Sequence, residues 1–417
     1  MHQLSIGKVL IMRTRLLPLL STALLSLVGF AVLIQPCIAA AITPETVCGY
    51  LDSDSKRTYI PGGYLKKNEQ KGQQIYFRFR PNIDSWSVAT IDIRDKPNKL
   101  QLLVRVQPPC KTTQARQAVY DKAGKLVSLL TLGPDLETVI AEDVVNPSFP
   151  PVYQTADIKP TLLAIADTGI NYLLPEMQPH IARTANGSLL GYDFWDMDEK
   201  PFDSDPRQNP YYPLHHGTTV FSVLAAEAPD EAIAVYRFPA LNMCQYKELI
   251  EHAVHVGVRI MNISMGSNNM DDWTCFATAA KNSPSVLFVV SAGNNSRNID
   301  EYPVYPAALS LDNLFVVSSS DHFGRPGAAS NTGSEHVDVF VPAEQISVTD
   351  HRGVRTSTGG TSYAAPRAAA LAVRYLRANP EADTQQIISF LQQRAISGQG
   401  NLSAFGWIPD PTDNYGF

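Results

Sequence analysis

Three short segments, far apart in the 417-residue sequence, contain the residue types of nucleophilic catalysis. Asp167 ends the apolar part of LLAIADTG, His216 stands beside a glycine in HHGTTV, and Ser362 lies in GGTSYAAP at the head of an alanine-rich run. A serine hydroxyl is a weak nucleophile until a base removes its proton, and a carboxylate must hold that base in the correct tautomer. Together the segments predict an Asp-His-Ser hydrolase.

Each segment has a simpler interpretation when taken alone. The Gly-Thr-Ser of the third segment is typical of a helix start, and a lone histidine such as His215 is more often structural. Asp-Thr-Gly is also typical of aspartic proteases, but a single-chain aspartic protease needs two such segments so that paired carboxylates can share a proton. The sequence contains no second Asp-Thr-Gly or Asp-Ser-Gly. The combination of all three segments therefore favours serine chemistry.

From residue 161 onward, short apolar segments alternate with amphipathic ones. The apolar segments are TLLAIAD, AIAVYRF, VRIMNISMG, SVLFVVSAGN, NLFVVSSS and VDVFVPA, and the predicted helices cover 216–227, 246–257, 273–282, 362–377 and 384–394. This alternation predicts an α/β fold, a doubly wound and mostly parallel sheet with helices on both faces. Sites in such folds lie beyond the carboxyl ends of the strands, and Asp167 stands at such an end.

The region before residue 146 has a different pattern. Segments such as SVATIDIR and LQLLVRVQ alternate apolar and polar residues between turn signals, so residues 42–145 are predicted to form a smaller β-rich N-terminal domain. The proline-rich stretch 146–160 reads as a linker to a catalytic domain at 161–417. Two interpretations of the N-terminal domain stay open: a propeptide that is removed, or a permanent accessory domain.

Residues 1–41 predict a signal peptide, since basic residues precede a long apolar run and a small-residue cleavage site near Ala40 or Ala41. The mature protein is then secreted or periplasmic, and an uncleaved membrane anchor is the alternative. The formal net charge of −6 provides no basic surface for nucleic acid.

Four cysteines follow the signal peptide, an even number for an oxidising compartment. Proximity in the sequence favours the disulfides Cys48–Cys110 and Cys244–Cys275, and free buried thiols are the alternative. No Cys/His spacing of a zinc site is present.

Five segments, IADTGI, HHGTTV, NISMGS, VVSAGNN and GGTSYAAP, resemble the successive signature segments of the subtilisin-like (subtilase) serine proteases. The resemblance covers roughly residues 160–380. It implies that Asp167 orients the base, His216 is the general base and acid, Ser362 is the nucleophile, and the Asn294 side chain donates to the oxyanion. The implied activity is that of a serine endopeptidase that forms an acyl-enzyme. With the predicted signal peptide we expect the protein to be exported, and we expect a monomer that needs no organic cofactor.

The same resemblance implies how a polypeptide substrate binds in extended conformation. Ser264, Met265 and Gly266 would pair with its backbone as a strand edge. Ser291, Ala292 and Gly293 would line the pocket for the residue before the scissile bond, which we expect to be apolar.

Two features depart from the family pattern. Phe221 and Ser222 replace the usual small residues of the helix after His216, and the stretch that follows this helix is short. In addition, an acidic segment upstream of His216 could hold calcium or simply be solvated. Its candidate ligands are Asp193, Asp196, Asp198, Asp203 and Asp205.

Two rival functions follow from the same residues. One is a peptide-processing transpeptidase or ligase, in which an amine resolves the acyl-enzyme. The other is an inactive peptide-binding relative, in which Phe221 closes the cleft. For the protease, activity is predicted to rise roughly between pH 6 and 8 as His216 loses its proton.

Overall fold

The computed structural model describes residues 42–51, 56–68, 73–79, 86–95, 99–150, 161–397 and 400–417. The predicted signal peptide and most of the predicted linker lie outside the described residues. The chain from Ile42 to Phe417 forms one compact unit. None of the described helices is both long and apolar enough to cross a bilayer.

The N-terminal part is a short helix followed by an antiparallel meander of eight strands, paired in sequence order. The elements are α1 (Pro44–Leu51), β1 (Arg57–Ile60), β2 (Gly63–Asn68), β3 (Gln73–Phe79), β4 (Trp86–Asp95), β5 (Lys99–Gln107), β6 (Lys111–Tyr120), β7 (Leu126–Leu132) and β8 (Val139–Val144). One face of the sheet buries alternate residues such as Ile91 and Val104 against Val47 of α1. The predicted β-rich N-terminal region is confirmed.

The second sheet has eight strands, and every neighbouring pair in it is parallel. Its strands are β9 (Leu163–Asp167), β10 (Gly191–Asp193), β11 (Ile233–Arg237), β12 (Ile260–Ile263), β13 (Leu287–Ser291), β14 (Leu314–Ser320), β15 (Val339–Pro342) and β18 (Gly406–Trp407). They lie in the order β10-β11-β9-β12-β13-β14-β15-β18. A separate hairpin joins β16 (Ile346–Thr349) to β17 (Arg355–Thr358).

Helices cover both faces of the parallel sheet, which confirms the predicted fold class. They are α2 (Gly217–Glu227), α3 (Tyr246–His255), α4 (Thr274–Lys281), α5 (Thr361–Ala378) and α6 (Thr384–Arg394). Helices α2, α5 and α6 share a core with Leu163 and Ile165, whereas α3 and α4 share the opposite core with Ala164 and Ala166. Successive residues of β9 therefore point to opposite faces of the sheet, as the geometry of a strand requires.

Strand β9 is the point at which the sheet reverses its order. The chain leaves β9 for β10 and β11 on one side and then crosses to β12 on the other side. Such a reversal opens a crevice beyond the carboxyl ends of the strands. Asp167 is the last residue of β9 and therefore stands at this crevice.

The N-terminal sheet packs on the segment that leads to His216. The ring of Tyr211 is buried with Leu103 and Leu129, and its hydroxyl donates to the Ile93 carbonyl oxygen at 3.4 Å. The Arg116 guanidinium lies 5.2 Å from the centre of the neighbouring Tyr212 ring. These contacts connect the first sheet to the loop before α2.

Both predicted disulfides are present. Cys48–Cys110 joins α1 to the turn before β6, and Cys244–Cys275 joins α4 to the segment before α3. Neither connects the two sheets, because each pair lies within one part of the chain.

Two ion pairs connect α5 to the end of α2 and the turn that follows it. Arg367 Nε lies 2.6 Å from Glu227 Oε1, and Arg377 Nε lies 2.6 Å from Glu231 Oε1. Burial raises the pKa of Glu227, and the Arg367 charge opposes that rise. Because α2 follows His216 and α5 contains Ser362, these pairs help to fix two catalytic candidates relative to each other.

The substitution Arg367→Met should lower the free energy of unfolding by about 3–5 kcal/mol, because it leaves the largely buried Glu227 carboxylate without its partner. Urea denaturation measures this loss, and adding Glu227→Gln should recover part of it. The control is Arg325→Met, since Arg325 pairs with Asp321 at the surface and its loss should have a much smaller effect. Equal small losses in both variants would contradict a stabilising role for the Arg367 pair.

Candidate active site

The Asp167 carboxylate and the His216 ring are hydrogen-bonded. Asp167 Oδ1 lies 2.8 Å from His216 Nδ1 and accepts the Thr168 N–H at 2.7 Å. The Asp167 side chain is 1% exposed, whereas that of His216 retains 24%. The ring is thus held at Nδ1 while its other edge stays partly accessible, as a general base with a fixed tautomer requires.

The start of α2 is held by a side chain from the turn after β9. The His216 side chain makes no capping hydrogen bond, and Thr168 Oγ1 instead accepts the N–H groups of His216 at 3.2 Å and Gly217 at 2.7 Å. A Cβ on Gly217 would lie 2.0 Å from the Gly169 carbonyl oxygen, so only glycine permits this close approach. The turn after β9 therefore supplies Asp167 and also fixes the backbone of His216.

Asp203 completes this arrangement, and sequence reasoning missed its role. Its fully buried carboxylate accepts the Thr168 hydroxyl at 2.6 Å and both the N–H, at 2.9 Å, and the hydroxyl of Thr218. A negative charge at a helix N-terminus is stabilising, because the first N–H groups lack partners within the helix. Asp203 thus binds the start of α2, although it was predicted only as a calcium candidate.

Ser362 is the second residue of α5 and lines a cavity with Ser264 and Ser291, which lie at the carboxyl ends of β12 and β13. Gly360, just before α5, has φ +123°, a backbone conformation that favours glycine. The ring centre of Tyr363 lies 6.1 Å from that of His216, so the start of α5 is close to the base. The Ser362 hydroxyl donates to the Ser264 carbonyl oxygen at 3.3 Å and, in the described part of the chain, makes no hydrogen bond to His216.

Two consecutive hydrogen bonds fix the backbone of Ser362. Ser264 Oγ donates to the Ser362 carbonyl oxygen at 2.9 Å and accepts from Asn262 Nδ2 at 3.0 Å. Asn262 is fully buried on β12, and sequence reasoning did not identify it as a site residue. A buried Asn at the end of an apolar strand was the available signal.

Asn294 is oriented by the start of α5. Its Oδ1 accepts the Thr361 N–H at 3.0 Å and the Thr361 hydroxyl at 3.2 Å. Because Oδ1 is held there, the Nδ2 amide is the end left for another acceptor. Asn294 and Ser362 line the same cavity. An oxyanion formed at Ser362 would thus have an amide donor nearby.

This cavity has a volume of about 300 Å³ and contains most of the predicted substrate-binding residues. Its lining comprises Ser264, Met265, Gly266, Ser267, Asn268, Ser291, Gly293, Asn294, Asn295, Val304 and Ser362. Sequence reasoning missed Ser267, Asn268, Asn295 and Val304. Hydroxyl and amide side chains form most of the lining, so the pocket is more polar than expected.

Ala292 is the predicted subsite residue that does not line the cavity. It is fully buried in the core shared with α3 and α4. Ser291 and Gly293 line the cavity while Ala292 points away, because successive residues of an extended segment face opposite sides. The assignment of Ala292 to the subsite is therefore corrected.

Phe221 does not close the cleft. Its side chain is fully buried in the core between α2 and the sheet and is absent from the cavity lining. Ser222, the other departure from the family pattern, accepts the Thr349 N–H at 3.0 Å and so joins α2 to the β16–β17 hairpin.

The five aspartates predicted as calcium ligands do not share one site. Arg237 Nη1 lies 2.9 Å from Asp193 and 2.7 Å from Asp196, while Asp198 accepts from Asn146 and Asp205 pairs with Arg207. Burial raises the pKa of Asp193 to about 6, although Arg237 opposes the rise. Arginine thus supplies the positive charge beside Asp193, Asp196 and Asp205.

The pKa of His216 lies above the ordinary histidine value. Burial favours the neutral ring, but the hydrogen-bonded Asp167 carboxylate and the nearby Asp203 carboxylate outweigh it. The ring thus becomes a neutral base only as the pH rises through a value above 6.5. This direction is compatible with the predicted rise of activity towards pH 8.

Comparison of the chain with known proteins identifies a family. A model described as the subtilase family matches residues 159–407. Minor extracellular protease Vpr of Bacillus subtilis (strain 168) is 31% identical over 189 residues, covering 39% of this chain and 22% of Vpr. Subtilisin-like protease 1 of Plasmodium berghei (strain Anka) is 23% identical over 295 residues, 61% of this chain and 49% of that protein. This chain thus spans less than half of either relative.

Thermitase of Thermoactinomyces vulgaris is matched over most of its own length. It is 24% identical over 275 residues, which cover 62% of this chain and 90% of thermitase. A solved structure of a cold adapted subtilisin-like serine proteinase is 22% identical with a TM-score of 0.48, covering 63% of this chain and 93% of that one.

The pKa of the His216 imidazole should lie above its ordinary value in the folded protein, and Asp167→Asn should lower it. The shift has this sign because burial, which favours the neutral ring, is then no longer outweighed by the Asp167 charge. Histidine side-chain NMR over a pH series measures both values, with the exposed His322 as an internal control. An unchanged His216 titration in the variant would contradict the coupling.

Proposed function

The chain belongs to the subtilase family, whose model matches more than half of its length, and from this premise we propose that it is an exported serine endopeptidase. Two observations carry the proposal. Asp167 is hydrogen-bonded to His216, and Ser362 lines one cavity with Asn294 while its neighbour Tyr363 lies beside the His216 ring. No organic cofactor takes part.

In the proposed reaction, Ser362 Oγ attacks the carbonyl carbon of a peptide bond and its proton passes to His216 Nε2. Asp167 keeps Nδ1 protonated and stabilises the imidazolium that forms. The oxyanion accepts hydrogen bonds from Asn294 Nδ2 and the Ser362 N–H. His216 then protonates the leaving amine, and water attacks the acyl-enzyme with His216 again acting as base.

The reaction requires the Ser362 hydroxyl to leave the Ser264 carbonyl oxygen and turn towards His216. A neutral hydrogen bond contributes only about 0.5–1.5 kcal/mol net, so this rotation is a small part of a catalytic barrier. Catalytic hydrogen bonds commonly tighten only when substrate binds.

The proposed substrate is a polypeptide in extended conformation. Residues 264–266 continue β12 beyond its end, where their backbone can pair with the substrate as an added strand. The polar lining of the cavity favours a small or polar side chain before the scissile bond, in place of the apolar one first expected. The name of the relative Vpr describes an extracellular protease, which supports export of this chain.

The transpeptidase alternative uses the same acyl-enzyme and differs only in the group that resolves it. Mass spectrometry of the products of a defined peptide separates hydrolysis, which adds water, from ligation, which joins an amine. The inactive alternative loses support because Phe221 lies in the core and leaves the cavity open.

A fluorophosphonate probe should label the protein covalently, and Ser362→Ala should abolish the labelling, because the probe reacts only with an activated serine. Ser291→Ala is the matched control, since Ser291 lines the same cavity but is not the proposed nucleophile. In-gel fluorescence measures the labelling. Equal labelling of the wild type and Ser362→Ala, or none of the wild type, would contradict the proposal.

The substitution Asn294→Ala should lower kcat by about 10²–10³ with little change in KM, because it removes a donor that acts mainly on the oxyanion of the transition state. Steady-state peptide hydrolysis measures both constants. Asn295→Ala changes the same cavity without removing that donor, so its effect should fall mainly on KM. Equal effects of the two substitutions on kcat would contradict the oxyanion role.

A further inference from the structure

A second cluster of chemically active side chains lies beside the proposed catalytic residues. Asp203, His215 and His351 come from three different segments, and we call them the His-His-Asp cluster. Asp203 precedes the loop that leads to α2, His215 adjoins His216, and His351 lies in the turn of the β16–β17 hairpin. Neither the proposed reaction nor substrate binding uses the two histidines of this cluster.

One ligand atom from each residue of the cluster lies within 4.8 Å of the other two. His351 Nδ1 is 3.7 Å from Asp203 Oδ2, and the two histidine rings are stacked with their centres 3.6 Å apart. Among the described residues, no other group of three His, Cys, Asp or Glu side chains brings its ligand atoms this close together. Donors of a tetrahedral zinc site lie roughly 3.3 Å apart, so a contraction of at most about 1.5 Å would close the cluster around an ion.

The hydrogen bonds of the cluster leave nitrogen lone pairs unused. His351 Nδ1 is buried and has no hydrogen-bond partner in the described part of the chain. His215 Nδ1 lies 2.6 Å from the Asp203 backbone carbonyl oxygen, to which only a protonated nitrogen can donate. The other nitrogen of His215 then carries the free lone pair, and histidine ligands of metals usually have their second nitrogen bound in this way.

We propose that the His-His-Asp cluster is a binding site for Zn²⁺, with two imidazole nitrogens, one carboxylate oxygen and a water molecule as ligands. Imidazole with carboxylate suits zinc, whereas calcium takes oxygen ligands only. Because both disulfides occupy their cysteines, no described thiol competes for the ion.

Binding requires one ring to turn, because two stacked rings cannot both direct an in-plane lone pair at one ion. The ring that turns is His351, since its Nδ1 has no hydrogen bond to break, whereas His215 is held by the Asp203 carbonyl group. The backbone of His351 stays in place, because Asn171 Nδ2 donates to its carbonyl oxygen at 2.7 Å.

A zinc ion here would join the segments that lead to both proposed catalytic residues. His215 adjoins His216, and β17 of the hairpin leads into the glycines before Ser362. Zinc should therefore stabilise the folded protein, as any ligand does that binds the folded state in preference to the unfolded one. The proposal does not depend on the protein being a protease.

Isothermal titration of the full chain, stripped of metal with EDTA, tests the site with Zn²⁺ alone. We expect one saturable site per chain and at least tenfold weaker binding in both His351→Ala and His351→Gln. His255→Ala removes an exposed histidine of α3 and should leave this affinity unchanged. No saturable binding by the wild type, or equal affinities in all variants, would overturn the proposal.

Visible absorption of bound Co²⁺ provides a readout that a change in folding alone would not produce. The wild type should give the intense bands of a four-coordinate ion, and His351→Ala should lose them while keeping its far-ultraviolet circular dichroism. A four-coordinate spectrum that survives in a folded His351→Ala protein would place the ion elsewhere and overturn the assignment.

Discussion

The hydrogen bond between Asp167 and His216 is the contact on which the rest of the site depends. It joins the end of β9 to the residue before α2, and it holds the ring by Nδ1. The Asp167 carboxylate is buried at the reversal of the strand order, and the Thr168 N–H and the His216 ring provide the hydrogen bonds that a buried polar group requires. The same contact fixes the tautomer and raises the pKa of the base.

A second layer of buried hydrogen bonds keeps this contact in place. Thr168 binds the backbone of His216 and Gly217, and Asp203 binds Thr168 and Thr218. The orientation of the His216 ring is therefore fixed by the strand end and by the start of the helix together. This explains how a residue outside any helix or strand can be held well enough to act as a base.

Much of the fold could be predicted from the sequence, because the strands of the parallel sheet are short apolar runs and the helices between them are amphipathic. The predicted helix 362–377 corresponds to Thr361–Ala378, for example. Strands β6 and β8 lie within the predicted β-rich region, but exposed polar residues interrupt the alternation that would mark them individually. The role of Asp203 at the start of α2 was missed because only the folded chain brings it to Thr168 and Thr218, 35 and 15 residues away. The polar character of the cavity likewise depends on Asn268 and Asn295, whose side chains line it only in the folded chain.

The N-terminal sheet contacts the loop that leads to His216, because Tyr211 and Tyr212 of this loop bind residues of the sheet. The central claim is that Ser362, His216 and Asp167 act in one hydrogen-bonded line beside Asn294. A crystal structure with a peptide boronic acid tests it most directly. We predict a bond between boron and Ser362 Oγ, His216 Nε2 within hydrogen-bond distance of the adduct, and Asn294 Nδ2 donating to a boronate oxygen. A boronate bound without a bond to Ser362, or with the His216 ring turned away from it, would contradict the account.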